Sequence, residues 1–103
     1  MNQPSKKRPN TAFEDILKDL QDADAHLGPL LIYHLSDLEG EKVRQIEAIW
    51  ENIPTKRKRA LLEEMEQVIE DNYLLSYEAI SCIGIHDQDA YTRFLAARSF
   101  YIY

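Results

Sequence analysis

The feature of this sequence that most limits its fold is an apolar period of about 3.6 residues, which recurs between helix-breaking residues. Its clearest instance follows Pro54, where the apolar positions are Leu61, Leu62, Met65, Val68 and Ile69. That period places the side chains on one face of an α-helix, so we predict a helix from about Thr55 to Asp71. No segment shows the alternating pattern of a half-buried strand. The predicted fold class is therefore all-α.

Five further segments show the helical pattern, and turns of a few residues separate them. These predicted helices begin near Thr11, Leu30, Glu41, Ser76 and Ala90. Short connections make neighbouring helices antiparallel, so the six short helices form three hairpins over about 12–38, 41–71 and 76–103. Residues 30–38 could also form a strand, but their leucines and lack of alternation favour a buried helix. A closed helical bundle and an open stack of hairpins both satisfy this pattern.

Composition limits the functions that suit a chain of 103 residues, a length typical of one domain. Residues 1–10 hold three cations and no acid, so we expect a flexible basic tail before a single domain over 11–103. That domain carries nine cations against eighteen acids, a net charge of −9, which argues against nucleic acid as a partner. No apolar stretch is long enough to span a membrane. The single cysteine, Cys82, fits a reducing compartment such as the cytoplasm.

The segment from Asp87 to Phe100 resembles a HEAT-like repeat of the type found in phycobilisome-lyase-like proteins. The positions that match this repeat are Asp87, Asp89, Arg93, Ala96 and Phe100, whereas Gln88 and Thr92 replace its usual Pro and Val. Residues 34–86 are also similar to a bacterial group of HEAT-repeat proteins, in their Leu-Ser-Asp-Leu run, Trp-bearing helix, basic helix start and acidic turn. The resemblance implies a HEAT-like α-solenoid, in which each hairpin packs on its neighbours.

The residues of the repeat motif have expected structural roles. The two aspartates supply acceptors where the last helix begins. Arg93 is expected to bond a carboxylate or carbonyl of the preceding turn, with Asp87 and Asp89 as the leading candidates. Ala96 is expected to allow a neighbouring helix to approach closely.

No catalytic constellation accompanies the repeat. His26, His34 and His86 lack the spacing of metal ligands, and Gly84 separates Cys82 from His86, so we expect Cys82 to be a buried apolar residue. We therefore expect no enzyme activity, no cofactor and no metal site. The chain is predicted to be a protein-binding scaffold module of the HEAT-repeat type. The alternatives are an enzyme-associated subunit similar to a bilin lyase and a nucleic-acid-binding HEAT-like domain.

Four consecutive cations occupy the first turn of the predicted helix at Thr55, and these are Lys56, Arg57, Lys58 and Arg59. Cations at a helix start oppose the helix dipole, so they suggest anionic neighbours. One interpretation is a solvated face paired with Glu51, Glu63 or Glu64. A second is a docking patch for an acidic protein partner, and a third is a contact with nucleic acid.

The last helix carries more aromatic and apolar side chains than one face can bury. The side chains that we predict as a contact surface are Phe94, Tyr101, Ile102 and Tyr103. Such a surface would be covered by a protein partner, by a second copy of the chain through a two-fold axis, or by further repeats that this chain lacks.

Overall fold

Helices dominate the part of the chain that this computed structural model describes, which is residues 12–26, 28–71 and 75–100. The six helices in those ranges are α1 Ala12–Gln21, α2 Pro29–His34, α3 Glu41–Ile49, α4 Thr55–Asp71, α5 Glu78–Gly84 and α6 Ala90–Ser99. A 3₁₀ turn, Trp50–Asn52, extends α3, and the described ranges contain no strand. The prediction of an all-α fold is confirmed. The predicted tail 1–10, the helix start at Thr11 and residues 101–103 lie outside the described residues.

Two helices begin where their local sequence predicts. α4 begins directly after Pro54, whose carbonyl accepts hydrogen bonds from the backbone N–H groups of Arg57 and Lys58, both at 2.9 Å. α6 begins after Asp89, whose carboxylate accepts a hydrogen bond from the backbone N–H of Thr92 at 2.9 Å. This bond satisfies one of the N–H groups that have no acceptor inside the helix. The expected acceptor role of Asp89 is therefore confirmed.

Three helix ends differ from the prediction. α2 stops at His34, because the chain turns through residues 35–37, where Asp37 adopts a φ of 53°. α5 begins at Glu78 rather than at Ser76, and the Ser76 hydroxyl accepts a hydrogen bond from the Glu78 N–H at 3.3 Å. α6 ends at Ser99, four residues before the predicted end.

The helices contact one another in two series. The odd-numbered helices pack in the order α1, α3, α5, the even-numbered helices in the order α2, α4, α6, and α5 packs along α6. The segments that connect the helices also contact one another in this order. Asn52 Nδ2 donates to Gln21 Oε1 at 3.2 Å, between the turn after α3 and the end of α1. The Asp37 N–H donates to the Ser76 carbonyl at 2.6 Å, between the connection after α2 and the connection after α4.

One hydrophobic cluster includes side chains from all six helices. Its most deeply buried aliphatic members include Leu20, Ile32, Leu35, Ile46, Leu61, Ile80 and Leu95. Tyr77 is buried with them, and its hydroxyl donates to the Ile32 carbonyl at 2.9 Å, so the polar end of this ring is satisfied. Tyr33 belongs to the segment predicted to be buried, but its side chain is 53% exposed.

Helices α5 and α6 approach closely at Gly84. A Cβ atom placed on Gly84 would lie 2.9 Å from the Cβ of Ala96, which is closer than two carbon atoms pack without displacement. Small residues at both positions therefore permit this helix contact, and the predicted role of Ala96 is confirmed. The Ser81 and Ser99 hydroxyls, 2.5 Å apart, join the same two helices through a buried hydrogen bond. These contacts fix which face of α6 points outward.

Candidate protein-binding face

An outward face of α6 carries a stacked aromatic pair. Tyr91 and Phe94 are three residues apart on the helix, and their ring centroids are 5.8 Å apart with an interplanar angle of 22°. The side chains of Tyr91 and Phe94 are 42% and 51% exposed. Large apolar side chains that stay this exposed on a rigid helix are typical of residues that bind a partner.

Two arginines lie over the rings of this pair. The Arg59 guanidinium carbon, from α4, is 5.2 Å from the Tyr91 ring centroid. The Arg98 guanidinium carbon, one helical turn beyond Phe94, is 5.1 Å from the Phe94 ring centroid. Both distances are within the range of cation–π attraction. We call the row Arg59, Tyr91, Phe94 and Arg98 the aromatic ladder.

Carboxylates hold both arginines of the aromatic ladder in place. Arg59 donates through Nε and Nη2 to the two carboxylate oxygens of Asp89, at 3.0 and 2.8 Å. Arg98 donates through the same two atoms to the carboxylate of Glu66, at 2.7 and 2.8 Å. Such paired bonds fix the plane of a guanidinium as well as its position. The ladder is therefore ordered by the fold before any partner binds.

Asp89 joins the aromatic ladder to the start of α6. The Arg59 guanidinium is the main cause of a lowered pKa at Asp89, and hydrogen bonds from the Thr92 hydroxyl and backbone N–H lower it further. The same ion pair raises the pKa of Arg59 above its usual value. Both groups therefore stay charged at neutral pH, and the bond between α4 and α6 persists.

A buried polar network lies beside the aromatic ladder. Asp87 Oδ1 accepts from Lys58 Nζ at 2.5 Å and from the Trp50 indole N–H at 2.9 Å, and Asp87 Oδ2 accepts from the Asp89 backbone N–H at 2.8 Å. Burial raises the pKa of Asp87, but the bonds from Lys58, from the Asp89 backbone and from Trp50 outweigh it, so the pKa lies below the usual value. We call Trp50, Lys58 and Asp87 the buried triad.

Arg93 fixes the connection that leads into α6. Its Nη1 donates to the backbone carbonyls of Asp87 and Gln88, at 2.9 and 3.0 Å. The prediction that Arg93 bonds a carbonyl of the preceding turn is confirmed, and the Asp87 carbonyl is one of its two acceptors.

The four-cation run does not form one patch. Lys56 is exposed, Arg57 and Lys58 are buried, and Arg59 is half-buried in the aromatic ladder. The interpretation of the run as a face paired with Glu51, Glu63 or Glu64 does not hold for Arg59, because its carboxylate partner is Asp89, 30 residues away. Lys58 is likewise paired with Asp87 and does not reach solvent.

The predicted contact surface at the end of the chain is described only at Phe94, since Tyr101, Ile102 and Tyr103 lie outside the described residues. The structure connects Phe94 to Arg59 through the ring of Tyr91, so two predicted binding residues belong to one face. Sequence reasoning did not place Tyr91 and Arg98 in a site. The sequence did contain a pattern that could have identified them, because positions 91, 94 and 98 have the i, i+3, i+7 spacing of one helical face.

No protein-family model, curated protein or solved structure matches this chain. No helix in the described ranges has the length and apolar character to cross a membrane.

The histidines and the cysteine form no site with the aromatic ladder. His26, His34 and His86 are exposed, and no metal-binding group of three or more His, Cys, Asp or Glu residues occurs among the described residues. Cys82 is exposed, which corrects the expectation that it is buried. It lies on the outer side of α5, where it lines a cavity of about 510 Å³ together with His86 and residues of α3.

Proposed function

We propose that this chain is a non-catalytic protein-binding module with a HEAT-like architecture, and that its partner docks on the aromatic ladder. The observation that carries the proposal is the stacked Tyr91–Phe94 pair, which stays about half exposed while two arginines order it.

The two series of helix contacts support a HEAT-like stack. In such a stack the first helices of successive hairpins contact one another, as do the second helices. The odd and even series follow this order. A closed bundle, the alternative, would not need contacts to follow the order of the hairpins.

The connections give independent support. In a stack of hairpins, equivalent turns lie side by side. The turn inside the second hairpin bonds the end of α1 through Asn52 and Gln21, and it bonds the turn inside the third hairpin through Trp50 and Asp87. Asp87 and Asp89 also bond the first turns of α4. The connections between hairpins meet at Asp37 and Ser76.

The aromatic ladder has the composition of a binding hot spot. Aromatic residues and arginine dominate the small set of interface residues that contribute most of the binding energy. A partner also loses less entropy on a face that is already ordered. Asp89 and Glu66 neutralise the arginines, so the ladder favours an apolar or aromatic partner side chain, with polar contacts at the rim.

The test compares two exposed aromatic residues in the native host. Tagged wild type, Phe94→Ala and the matched control Tyr33→Ala are purified from that host, and the bound proteins are quantified by mass spectrometry. Tyr33 is as exposed as Phe94, at 53%, but lies on α2. We expect Phe94→Ala to lose a specific partner by at least tenfold and Tyr33→Ala to keep it. Equal recovery with both variants would refute the role of the ladder.

A second copy of the chain is the other partner that this face could accept. Sedimentation of wild type and Phe94→Glu separates this case. A wild-type dimer that Phe94→Glu converts to a monomer would identify the partner as the chain itself. A wild type that stays monomeric leaves a different protein as the partner.

A further inference from the structure

Arg57 is a buried cation that the fold leaves without a partner. The residue is only 8% exposed, and its Nε and Nη2 atoms are buried with no hydrogen-bond partner. Buried charged groups are normally paired, because removal from water without compensation is costly. The buried edge of this guanidinium is therefore left without an acceptor by the fold.

The edge formed by Nε and Nη2 is the one that arginines of this chain use elsewhere to bind carboxylates. Arg44, Arg59 and Arg98 each donate through Nε and Nη2, to Glu41, Asp89 and Glu66 respectively. These two N–H groups point in the same direction and match the two oxygens of a carboxylate. In Arg57 the same pair of donors is present and unused.

No acidic side chain of the chain takes this position. All eighteen aspartates and glutamates lie within the described residues, and none of them bonds Arg57. Asp22 and Asp24 flank Ala23, a residue that lines a cavity beside Arg57. Both are exposed, and Asp22 Oδ1 accepts from the Asp24 N–H at 2.9 Å.

Arg57 lines a cavity of about 330 Å³ between the α1–α2 connection and the start of α4. The lining residues are Ala23, Pro54, Lys56, Arg57 and Ala60, of which two are cations and none is acidic. The cavity lies at the N-terminus of a 17-residue helix, where a negative charge is favoured. Pro54 has no side-chain acceptor, and the N–H groups of Thr55 and Lys56 have no acceptor among the described residues.

We propose that this cavity, the Arg57 pocket, binds a single carboxylate group. The Arg57 side chain would turn its Nε and Nη2 edge, which is buried in the free protein, towards the cavity to take both carboxylate oxygens, and Lys56 would add a charge at the rim. A phosphate dianion or a polyanion fits less well, because the exposed Asp22 and Asp24 flank the lining residue Ala23 and repel a larger negative charge more strongly. Arg57 and Arg59 are two positions apart on α4, about 200° around the helix, so the pocket is separate from the aromatic ladder.

The test is an NMR titration of the ¹⁵N-labelled protein with sodium propionate, at ionic strength held constant with sodium chloride. We expect saturable shifts at the Arg57 Nε–H and at the amides of Thr55 and Lys56. Propionamide, which has the same shape without the charge, is expected to cause none. Arg57→Met is expected to abolish the shifts, and Arg57→Lys to weaken binding at least tenfold, whereas the control Arg44→Met keeps them.

Several results would overturn the proposal. The first is no saturable shift with propionate, and the second is the same response in Arg57→Met. The third is saturable binding of sodium phosphate but not of propionate, which would replace the carboxylate with another anion. The proposal would also fail if Asp22→Asn or Asp24→Asn destabilised the protein and Arg57→Met restored its stability. An internal acid would then already pair with Arg57.

The stability of the free protein gives a readout that does not depend on the ligand. Because Arg57→Met removes an unpaired buried charge and keeps the apolar stem, we expect its melting temperature to rise by roughly 5 °C. A fall of similar size would show that Arg57 is already paired. A blocked Gly-Glu-Gly tripeptide then separates the sources of the carboxylate. Binding as tight as that of propionate indicates a protein side chain, and exclusion of the peptide indicates a small carboxylic acid.

Discussion

The buried triad offers the sharpest test of what holds α6 in place, through the substitution Asp87→Asn. The carboxylate of Asp87 accepts three hydrogen bonds, and two of them arrive at Oδ1 from Lys58 and Trp50. An asparagine keeps one acceptor oxygen and replaces the other with an NH₂ donor. That NH₂ group would face either the Asp89 N–H or the donor groups of Lys58 and Trp50. Because a donor then meets a donor in both orientations, the network cannot be rebuilt.

The expected cost follows from the burial of the pair. The side chains of Lys58 and Asp87 are 5% and 2% exposed, so Asp87→Asn leaves a buried ammonium group without a counter-charge. Removing one partner of such a pair costs about 3–5 kcal/mol. For a domain of this size, each kcal/mol lowers the melting temperature by roughly 4–8 °C. We therefore expect a fall of more than about 12 °C.

A double-mutant cycle measures the coupling within the triad. Urea unfolding of wild type, Asp87→Asn, Lys58→Met and the double variant is followed by circular dichroism and by the fluorescence of Trp50, the single tryptophan. We expect the double variant to lose much less free energy of unfolding than the sum of the losses in the two single variants, because no charge is left buried. Glu41→Gln, which breaks the exposed Arg44–Glu41 pair, is the control and should change little. Additive losses would refute the reasoning.

Acid gives a second measure of the same pair. The folded pKa of Asp87 lies below its usual value of 3.8, so the unfolded chain binds this proton first as the pH falls. The stabilisation is complete above about pH 4 and is lost as the pH falls through 3.8 towards the folded pKa. The difference in unfolding free energy between wild type and Asp87→Asn should therefore shrink below pH 4. A difference that stays constant there would contradict an ionised Asp87.

Two further predictions concern the packing of α6. Gly84→Ala should destabilise the protein by about 1–3 kcal/mol despite the better helix propensity of alanine, because its Cβ meets Ala96, and Ala96→Gly in the same chain should recover part of that loss. Equal stability of Gly84→Ala and wild type in urea would contradict the close contact. Arg93→Ala should lower the free energy of unfolding by about 1 kcal/mol through the loss of its bonds to two carbonyls, whereas Arg44→Ala should not. An unchanged melting temperature of Arg93→Ala would rule out that role.

The helices could be predicted from the sequence wherever the signal was local. The bounds of α4 follow from Pro54 and from five apolar residues with a helical period, and the start of α6 follows from the carboxylate at Asp89. The end of α2 could not be read in this way, since Leu35 and Leu38 continue its apolar pattern past His34. There the chain turns through residues 35–37, and Asp37 adopts a positive φ, a conformation that the pattern of apolar residues does not encode.

The candidate site depends on contacts between residues far apart in the chain. Phe94 and Arg59 were each singled out, but nothing local indicates that Arg59 meets Asp89 and the ring of Tyr91. The spacing of Tyr91, Phe94 and Arg98 defined a face of α6, and the packing of α4 against α6 determined which α4 side chains border it. A helix face is thus predictable from sequence, whereas the side chains that complete it require the tertiary contacts.

The run of four cations shows why a charge cluster in a sequence is a poor guide to a charge patch on a helix. Successive residues on an α-helix are about 100° apart, so four of them cover the whole circumference and cannot share one surface. Two of the four directions face α6, where Asp87 and Asp89 neutralise the cations at the start of α4. These aspartates offset the unfavourable placement of cations against the helix dipole. The two directions that face away from α6 leave Lys56 in solvent and Arg57 buried with its Nε and Nη2 donors unused. Arg57 is therefore the cation of the run that is buried without a carboxylate partner, and it is the one that lines the pocket.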